Sequence, residues 1–274
     1  MQTLRDGSAF GARALAAAAI CAITLPLGGC AMPQLEAQVD EAARAGTCES
    51  SYQSATSSSD TYRSGGPLII RYLAARAAAE SWTSVAVSCP TRLTEGIVHA
   101  AQASYASERL AGRLGLEAGA PETVDFSEVA QINMDASALS SIVLAEDRAG
   151  FCMEVLAARE TPNATLSIAD NHKTVAQRLF SLSGADSDPR QKVYAVDQLL
   201  AHPDAIDDPA TGLTAPIAAA VEMNCARSWL DALAQTETLS RPSKEWMASA
   251  AVSRLWRAFD FGYPSLDAAL LRLQ

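Results

Sequence analysis

A chain of 274 residues, 49% hydrophobic and 6% aromatic, is long enough for one large or two small cores and too apolar for disorder. Its formal charge of −10, from 31 acidic and 21 basic residues, offers no basic footprint and excludes nucleic acid as a partner. With 15 Gly and 12 Pro the chain is no collagen-like or elastic repeat; abundant alanine beside few aromatics favours helices over a β-sandwich.

The first predicted element is a leader. Arg5 and Arg13 precede an apolar run at 14–27. That run is shorter than the ~20 residues a spanning helix needs, so residues 1–29 read as a secretion signal. The leader ends in Leu27, Gly28, Gly29 and Cys30, which resembles the lipobox of bacterial lipoproteins. The resemblance implies that Cys30 is diacylated, becomes the first mature residue and holds the protein on the extracytoplasmic face of the cell membrane. Two acyl chains suffice for stable anchoring. Cleavage removes two of the 21 basic and one of the 31 acidic residues, leaving 19 and 30. A body this acidic is repelled by anionic lipid, so the lipid and not a basic face makes the attachment.

Cys21 leaves with the leader and Cys30 takes the lipid. Cys48, Cys89, Cys152 and Cys225 remain, an even set in an oxidising compartment, which predicts two disulfides. Of the three possible connectivities, Cys48–Cys89 with Cys152–Cys225 keeps each pair within one half of the chain. No C-x-x-C spacing supports metal ligation instead.

Residues 30–66 hold the anchor, a short helix at 33–45 with Leu35, Val39 and Ala42 on one face, and a serine-rich stretch. That stretch is either a tether or a helix stapled through Cys48. Residues 67–134 read as a helical hairpin and a loop. Pro67 suits a helix's first turn. Ile70, Leu73, Ala74, Ala77 and Val85 then form an inward stripe interrupted by Ser81. Cys89 and Pro90 end that helix, and a second follows at 91–114 with Leu93, Ile97, Ala100, Ser104 and Leu110 inward and Gly115 as its stop.

Residues 135–264 contain four helical stretches at about 136–160, 163–183, 214–236 and 242–260, and residues 265–274 form a tail. The first two are joined by Thr161 and Pro162, and the last two by a few residues around Leu239, Ser240 and Arg241. Between the pairs lie about thirty residues marked by Gly184, Pro189, Pro203, Pro209 and Gly212. Two tight hairpins and one long crossover is the connectivity of a ferritin-like four-helix bundle. The predicted fold class is therefore all-α: this bundle preceded by the hairpin.

Residues 144–150 (with Glu146), Asn171–His172–Lys173, and 221–229 (with Glu222, Cys225 and Trp229) also resemble an actinobacterial domain family of unknown function placed in the ferritin-like superfamily. The likeness covers residues 136–264, including the crossover at 194–209.

Each helix carries one polar residue on its inward stripe. Glu146 lies among Leu139, Val143, Gly150, Met153 and Ala157. His172 lies among Ile168, Val175, Leu179 and Leu182. Glu222 shares a stripe with Ala218, Cys225, Trp229 and Ala232, and Arg254 one with Met247, Ala251 and Ala258. An unpaired buried charge is costly, so these four are expected to meet. The ferritin-like resemblance implies metal ligands at Glu146, His172 and Glu222, with iron or manganese as the ion. Against this, neither Glu-x-x-His copy is intact: Ala149, Cys225 and Ala169 break them. Arg254 places a fixed positive charge where a cation would sit. The expectation is thus a structural network without metal or other cofactor.

His99 follows Glu95 at a helical-pair spacing, and His202 precedes Pro203 in the crossover. H-E-x-x-H, G-x-S-x-G, S-x-x-K and P-loop patterns are all missing from the sequence, and no strand is expected. Trp82, Trp229, Trp246 and Trp256 fall on helices and read as core. Together these features predict a lipid-anchored, non-catalytic binding or scaffolding module with an envelope protein as its partner. The alternatives are a metal-binding oxidoreductase or iron-binding protein using the degenerate site, and an envelope-assembly factor acting through the N-terminal hairpin.

Overall fold

The structure, a computed structural model, describes residues 33–117, 119, 129, 131–236 and 239–267, with the backbone alone for 33–45. The leader, Cys30 and residues 268–274 lie outside the described residues. The chain divides into units 1–39 and 40–274. Of the first, the described part is the helical stretch 33–39; all that follows concerns the second.

Eight α-helices account for most of the described residues, and the fold is all-α. Helix α1 (Pro33–Arg63) runs unbroken through the serine-rich stretch, so that segment is no tether. Its hydroxyls bond back to the preceding turn, Thr56 to the Tyr52 carbonyl and Thr61 to the Ser57 carbonyl. Ala55, Ser59 and Tyr62 form a buried stripe below them. The Cys48–Cys89 disulfide forms as expected and ties α1 to the end of α2 (Leu68–Ser88).

A 3-10 turn at Pro90–Arg92 leads into α3 (Leu93–Leu114), which packs on α2 and stops at Gly115 in the left-handed region. Gly96 sets this approach: a Cβ there would lie 2.5 Å from the Ala86 nitrogen and 2.7 Å from the Trp82 carbonyl oxygen. The buried face of α2 is Ala75, Ala78, Trp82, Val85 and Ala86. The expected stripe is therefore rotated, with Ile70 and Leu73 each 50% exposed and Ile69 46%. The helix is apolar around most of its circumference, so periodicity does not select a face. Trp82, which donates to Ser59 Oγ at 2.9 Å, and the close backbone contact at Gly96 do.

Helices α4 (Ala136–Ala158) and α5 (Leu166–Ser183) are capped by Asp135 and Thr165, whose side chains accept from backbone N–H groups of the first turn. The turn between them passes through Glu160 and Asn163 at positive φ. In the crossover, α6 (Asp197–Ala201) is followed by two three-residue strands that the sequence did not suggest. Strand β1 (Ala205–Asp207) pairs antiparallel with β2 (Thr214–Pro216), Ile206 opposite Ala215. Strand β2 takes residues expected in the next helix, α7 (Ile217–Ala234). That helix is buried on almost every side and contacts α3, α4 and α8 (Arg241–Asp260). Helix α4 packs on both α5 and α7, and α8 extends the contacts to α2 and α3. These contacts and the long crossover are compatible with the expected four-helix bundle.

The second expected bridge, Cys152–Cys225, does not form; both cysteines are free. Cys225 lies level with Glu146, their ligand atoms within 4.8 Å. Cys152 is six residues past Glu146 on α4, about 9 Å further along the axis and about 240° around it. There it packs against Met153, Leu156 and Ala169 in a separate apolar cluster. The two thiols face different layers.

The bridge that does form spans 41 residues, a loop whose closure is worth about 4 kcal/mol in the chain-entropy treatment. Cys89→Ser is expected to lower unfolding stability by about 2–4 kcal/mol in urea titrations. Thiol mapping of the denatured, unreduced chain should find Cys48 linked to Cys89 and Cys152 and Cys225 both alkylated.

Candidate functional site

Glu146 of α4, His172 of α5, Glu222 of α7 and Arg254 of α8 meet, each with no exposed surface. The inward stripes of α4, α5, α7 and α8 predicted this meeting. Arg254 grips Glu146 with two parallel bonds, Nε to Oε1 and Nη2 to Oε2, both 2.8 Å. Trp229 Nε1 donates to Oε1 at 2.7 Å, and His172 Nδ1 lies 2.7 Å from Oε2. The carboxylate thus receives four hydrogen bonds, two on each oxygen, which fills its lone-pair sites.

His172 Nε2 reaches Glu222 Oε1 at 3.0 Å. A ring that meets a carboxylate at each nitrogen must carry both protons, and is an imidazolium. Arg254 Nη1 donates to Asn171 Oδ1 at 3.1 Å. Arg257 comes within 3.5 Å of Glu222 Oε1. Glu222 Oε2 is buried without a hydrogen-bond partner, as is Arg257 Nη1.

Two carboxylates against Arg254 and the His172 imidazolium leave the inner cluster neutral. Burial alone would raise the Glu146 carboxyl, but Arg254 and then His172 outweigh it and bring it down to about 2. Burial likewise opposes ionisation of Glu222, and His172, with Arg254 and Arg257 behind it, overcomes that and lowers it. For His172, burial and Arg254 disfavour the proton, while Glu222 and Glu146 together hold it on and raise the value. Burial first, then the Glu146 charge, pushes the Cys225 thiol well above its ordinary range. It is a protonated, unreactive thiol.

Glu146, His172 and Cys225 bring ligand atoms close enough together to suggest a metal centre. The donor set as folded does not fit one. A metal needs lone pairs, and those of Glu146 and of both His172 nitrogens are already engaged. The Arg254 guanidinium adds a fixed charge of the wrong sign.

Trp229, expected as core, is also a donor to the site. Asn171 and Arg257 were not foreseen, and Cys225, placed on the inward stripe with Glu222, was expected in a bridge to Cys152 rather than as a free thiol beside Glu146. Asn171 adjoins His172 in sequence, and Arg257 lies one turn past Arg254; both spacings were available as signals. His99 stacks on Trp82, ring centroids 4.5 Å apart, and bonds Gln102 rather than Glu95, which pairs with Arg92.

A second buried network lies between the crossover, α7 and the end of α8. Arg227 of α7 binds both oxygens of Asp208, at 3.0 and 2.6 Å, and Tyr263 shares that carboxylate. It fastens the β1–β2 turn to α7 and to the end of α8. Its parts lie 19 and 36 residues apart in sequence, and no periodicity links them.

Comparison with protein-family models, curated proteins and solved structures finds no match to this chain.

Glu146→Gln leaves the Arg254 charge buried without its partner and should cost about 3–5 kcal/mol in urea unfolding. The pH dependence has two limbs. The lowered carboxyls stabilise fully above their unfolded value near 4.5, and that share is lost as pH falls toward 2. The raised His172 stabilises fully below its unfolded value of 6.5, and its share is lost as pH rises through the higher folded value. Stability should therefore be greater near about pH 5.5 than near about pH 8.5, and His172→Gln should flatten that alkaline decline.

Proposed function

We propose that this chain is an extracytoplasmic lipoprotein, anchored through Cys30, whose ferritin-like helical domain is a non-catalytic binding or scaffolding module. The observation that carries the non-catalytic reading is the saturation of Glu146 by Arg254, Trp229 and His172. Both Glu146 oxygens and both His172 nitrogens are engaged, and Cys225 is held as a protonated thiol. No oxyanion hole, nucleophile–base pair or open cation position is left among these residues for chemistry to use.

The extracytoplasmic reading rests on Leu27, Gly28, Gly29 and Cys30 and is supported by the Cys48–Cys89 disulfide, a bond of oxidising compartments. No described helix is long and apolar enough to cross a membrane. A contact through the N-terminal hairpin is supported by Ile69, Ile70 and Leu73, which form an apolar outer face on α2.

Two measurements test this reading. The wild-type chain, expressed in a bacterial host and purified without chelator, should contain less than about a tenth of an equivalent of iron, manganese or zinc, as expected of a site whose Glu146 oxygens and His172 nitrogens are engaged; a stoichiometric metal would overturn the non-catalytic reading. Labelled palmitate should enter the wild-type chain, and Cys30→Ala should abolish labelling and move the protein from the membrane to the soluble fraction. Retention of the variant on the membrane would refute lipid anchoring.

A further inference from the structure

The corner where α1 passes into α2 carries an apolar face with nothing packed on it among the described residues. Ile69, Leu73 and Ala77 follow one another at four-residue spacing on α2 with Ile70 beside them, and all four are exposed. Ile69 is 46% exposed, and Ile70 and Leu73 are 50% each. The charge of this corner has the opposite sign to that of the chain. Between Asp60 and Glu80 stand Arg63, Arg71 and Arg76 and no acidic residue, in a protein of formal charge −10. Arg71 Nε donates to the Tyr62 carbonyl at 2.9 Å and fixes the corner. The exposed Arg63 and Arg76 lie over the rings of Tyr62 and Tyr72, at 5.2 and 5.9 Å, which orders both guanidinium groups beside the apolar face. In the cleft at the end of α3, Arg109 and Arg113 are balanced by Glu108 and Asp260.

Resting on the reading that Cys30 anchors the chain, we propose that this corner is a second membrane contact: Ile69, Ile70 and Leu73 enter the headgroup boundary of an anionic bilayer, and Arg63 and Arg76 bind its phosphates. Cys30 makes the attachment, and the corner sets which side of the domain faces the lipid.

The size and charge of the face select a bilayer over a protein surface. Three half-exposed aliphatic side chains offer a few hundred Å², well short of the about 800 Å² that each partner of a stable protein complex buries. A second copy docked through the same face would also set arginines against arginines. A bilayer needs no matched surface. An apolar helix face buries itself about 5–10 Å into the headgroup boundary and gains from each nearby arginine. The long arginine side chains reach phosphate while their stems stay in the apolar layer. The acyl chains on Cys30 keep the corner at the membrane, so a weak contact suffices, because the second contact is then intramolecular. The acidic remainder of the chain is repelled by the same lipid, which leaves this corner as the side turned toward it.

The test uses the full-length chain, expressed in a bacterial host that processes lipoproteins and reconstituted in vesicles whose acyl chains carry bromine, a contact quencher of tryptophan. Wild type, Ile70→Trp and Ile70→Trp/Arg63→Glu/Arg76→Glu are compared in equal parts of phosphatidylglycerol and phosphatidylcholine, and in phosphatidylcholine alone. In the mixed vesicles bromine should quench more than about half of the fluorescence that Ile70→Trp adds to wild type, as expected of a side chain at the acyl boundary. Neutral lipid and the charge reversal should each cut that quenching at least about fivefold, as loss of arginine contacts at an anionic surface requires. Leu73→Trp, about one turn further along, is an independent reporter should Ile70→Trp not fold. No added quenching from either reporter overturns the proposal, and so does quenching indifferent to lipid charge. A reporter shielded from aqueous acrylamide but not quenched by bromine would mark a protein, a second copy included, as the occupant and likewise overturn it. Flotation separates this failure from that of the anchor. Protein that floats with the vesicles and is not quenched leaves the anchor standing; protein that does not float refutes the anchor and this contact with it.

Discussion

The bidentate bond between Arg254 and Glu146 is the constraint around which the C-terminal part of the molecule is arranged. Neither charge has any exposed surface. Each would be several kcal/mol out of equilibrium without the other, so α8 and α4 must meet at this level. The remaining acceptor capacity of Glu146 then recruits Trp229 from α7 and His172 from α5. His172, once charged, requires a second anion and finds it in Glu222. One pair thereby dictates the depth at which four helices cross, and the apolar residues above and below fill in around it.

The inner cluster was legible because the signal is local to each helix: a lone charged residue on an otherwise apolar stripe has no solvent to turn to. Glu146, His172, Glu222 and Arg254 were found that way. The face of α2 was not legible for the opposite reason. Leu68 to Val87 is apolar on so many sides that periodicity carries little information, and Trp82 with Gly96 decides the packing. The Cys152–Cys225 pairing failed because parity and chain halves say nothing about axial level, and six residues of helix separate the layers. The serine-rich stretch misled in another way. Serine and threonine hydroxyls bonded to the preceding turn allow a helix where composition suggested a linker. The β1–β2 hairpin is too short for alternation to register, and its anchor, Asp208 with Arg227 and Tyr263, joins residues no local pattern connects.

The cross-links divide the work by location. At the N-terminal hairpin the link is covalent, Cys48 to Cys89, where the contacts come mostly from alanine and few large side chains are available to hold α1. In the crossover it is ionic. Asp208 takes both Arg227 nitrogens and the Tyr263 hydroxyl, and so pins the β1–β2 turn to α7 and to the end of α8. Between α4, α5, α7 and α8 the inner cluster acts across the whole bundle. Arg254 and Arg227 both pair with carboxylates through two nitrogens, the geometry that a planar guanidinium supports and an ammonium does not.

A buried ion pair is seldom more stable than an apolar pair of equal volume, so net stability does not account for this interior. Helices α7 and α8 bury many alanines, and small uniform side chains distinguish weakly between one register and the next, a turn or about 5.4 Å away. Slipping any one helix by a turn would carry Glu146, His172, Glu222 or Arg254 out of reach of its partner. An uncompensated charge would then be left in an interior without water, at about 3–5 kcal/mol. That penalty is comparable to a large share of a domain's total stability. Apolar packing supplies the drive to collapse, and the ionic cluster restricts the collapsed helices to one alignment.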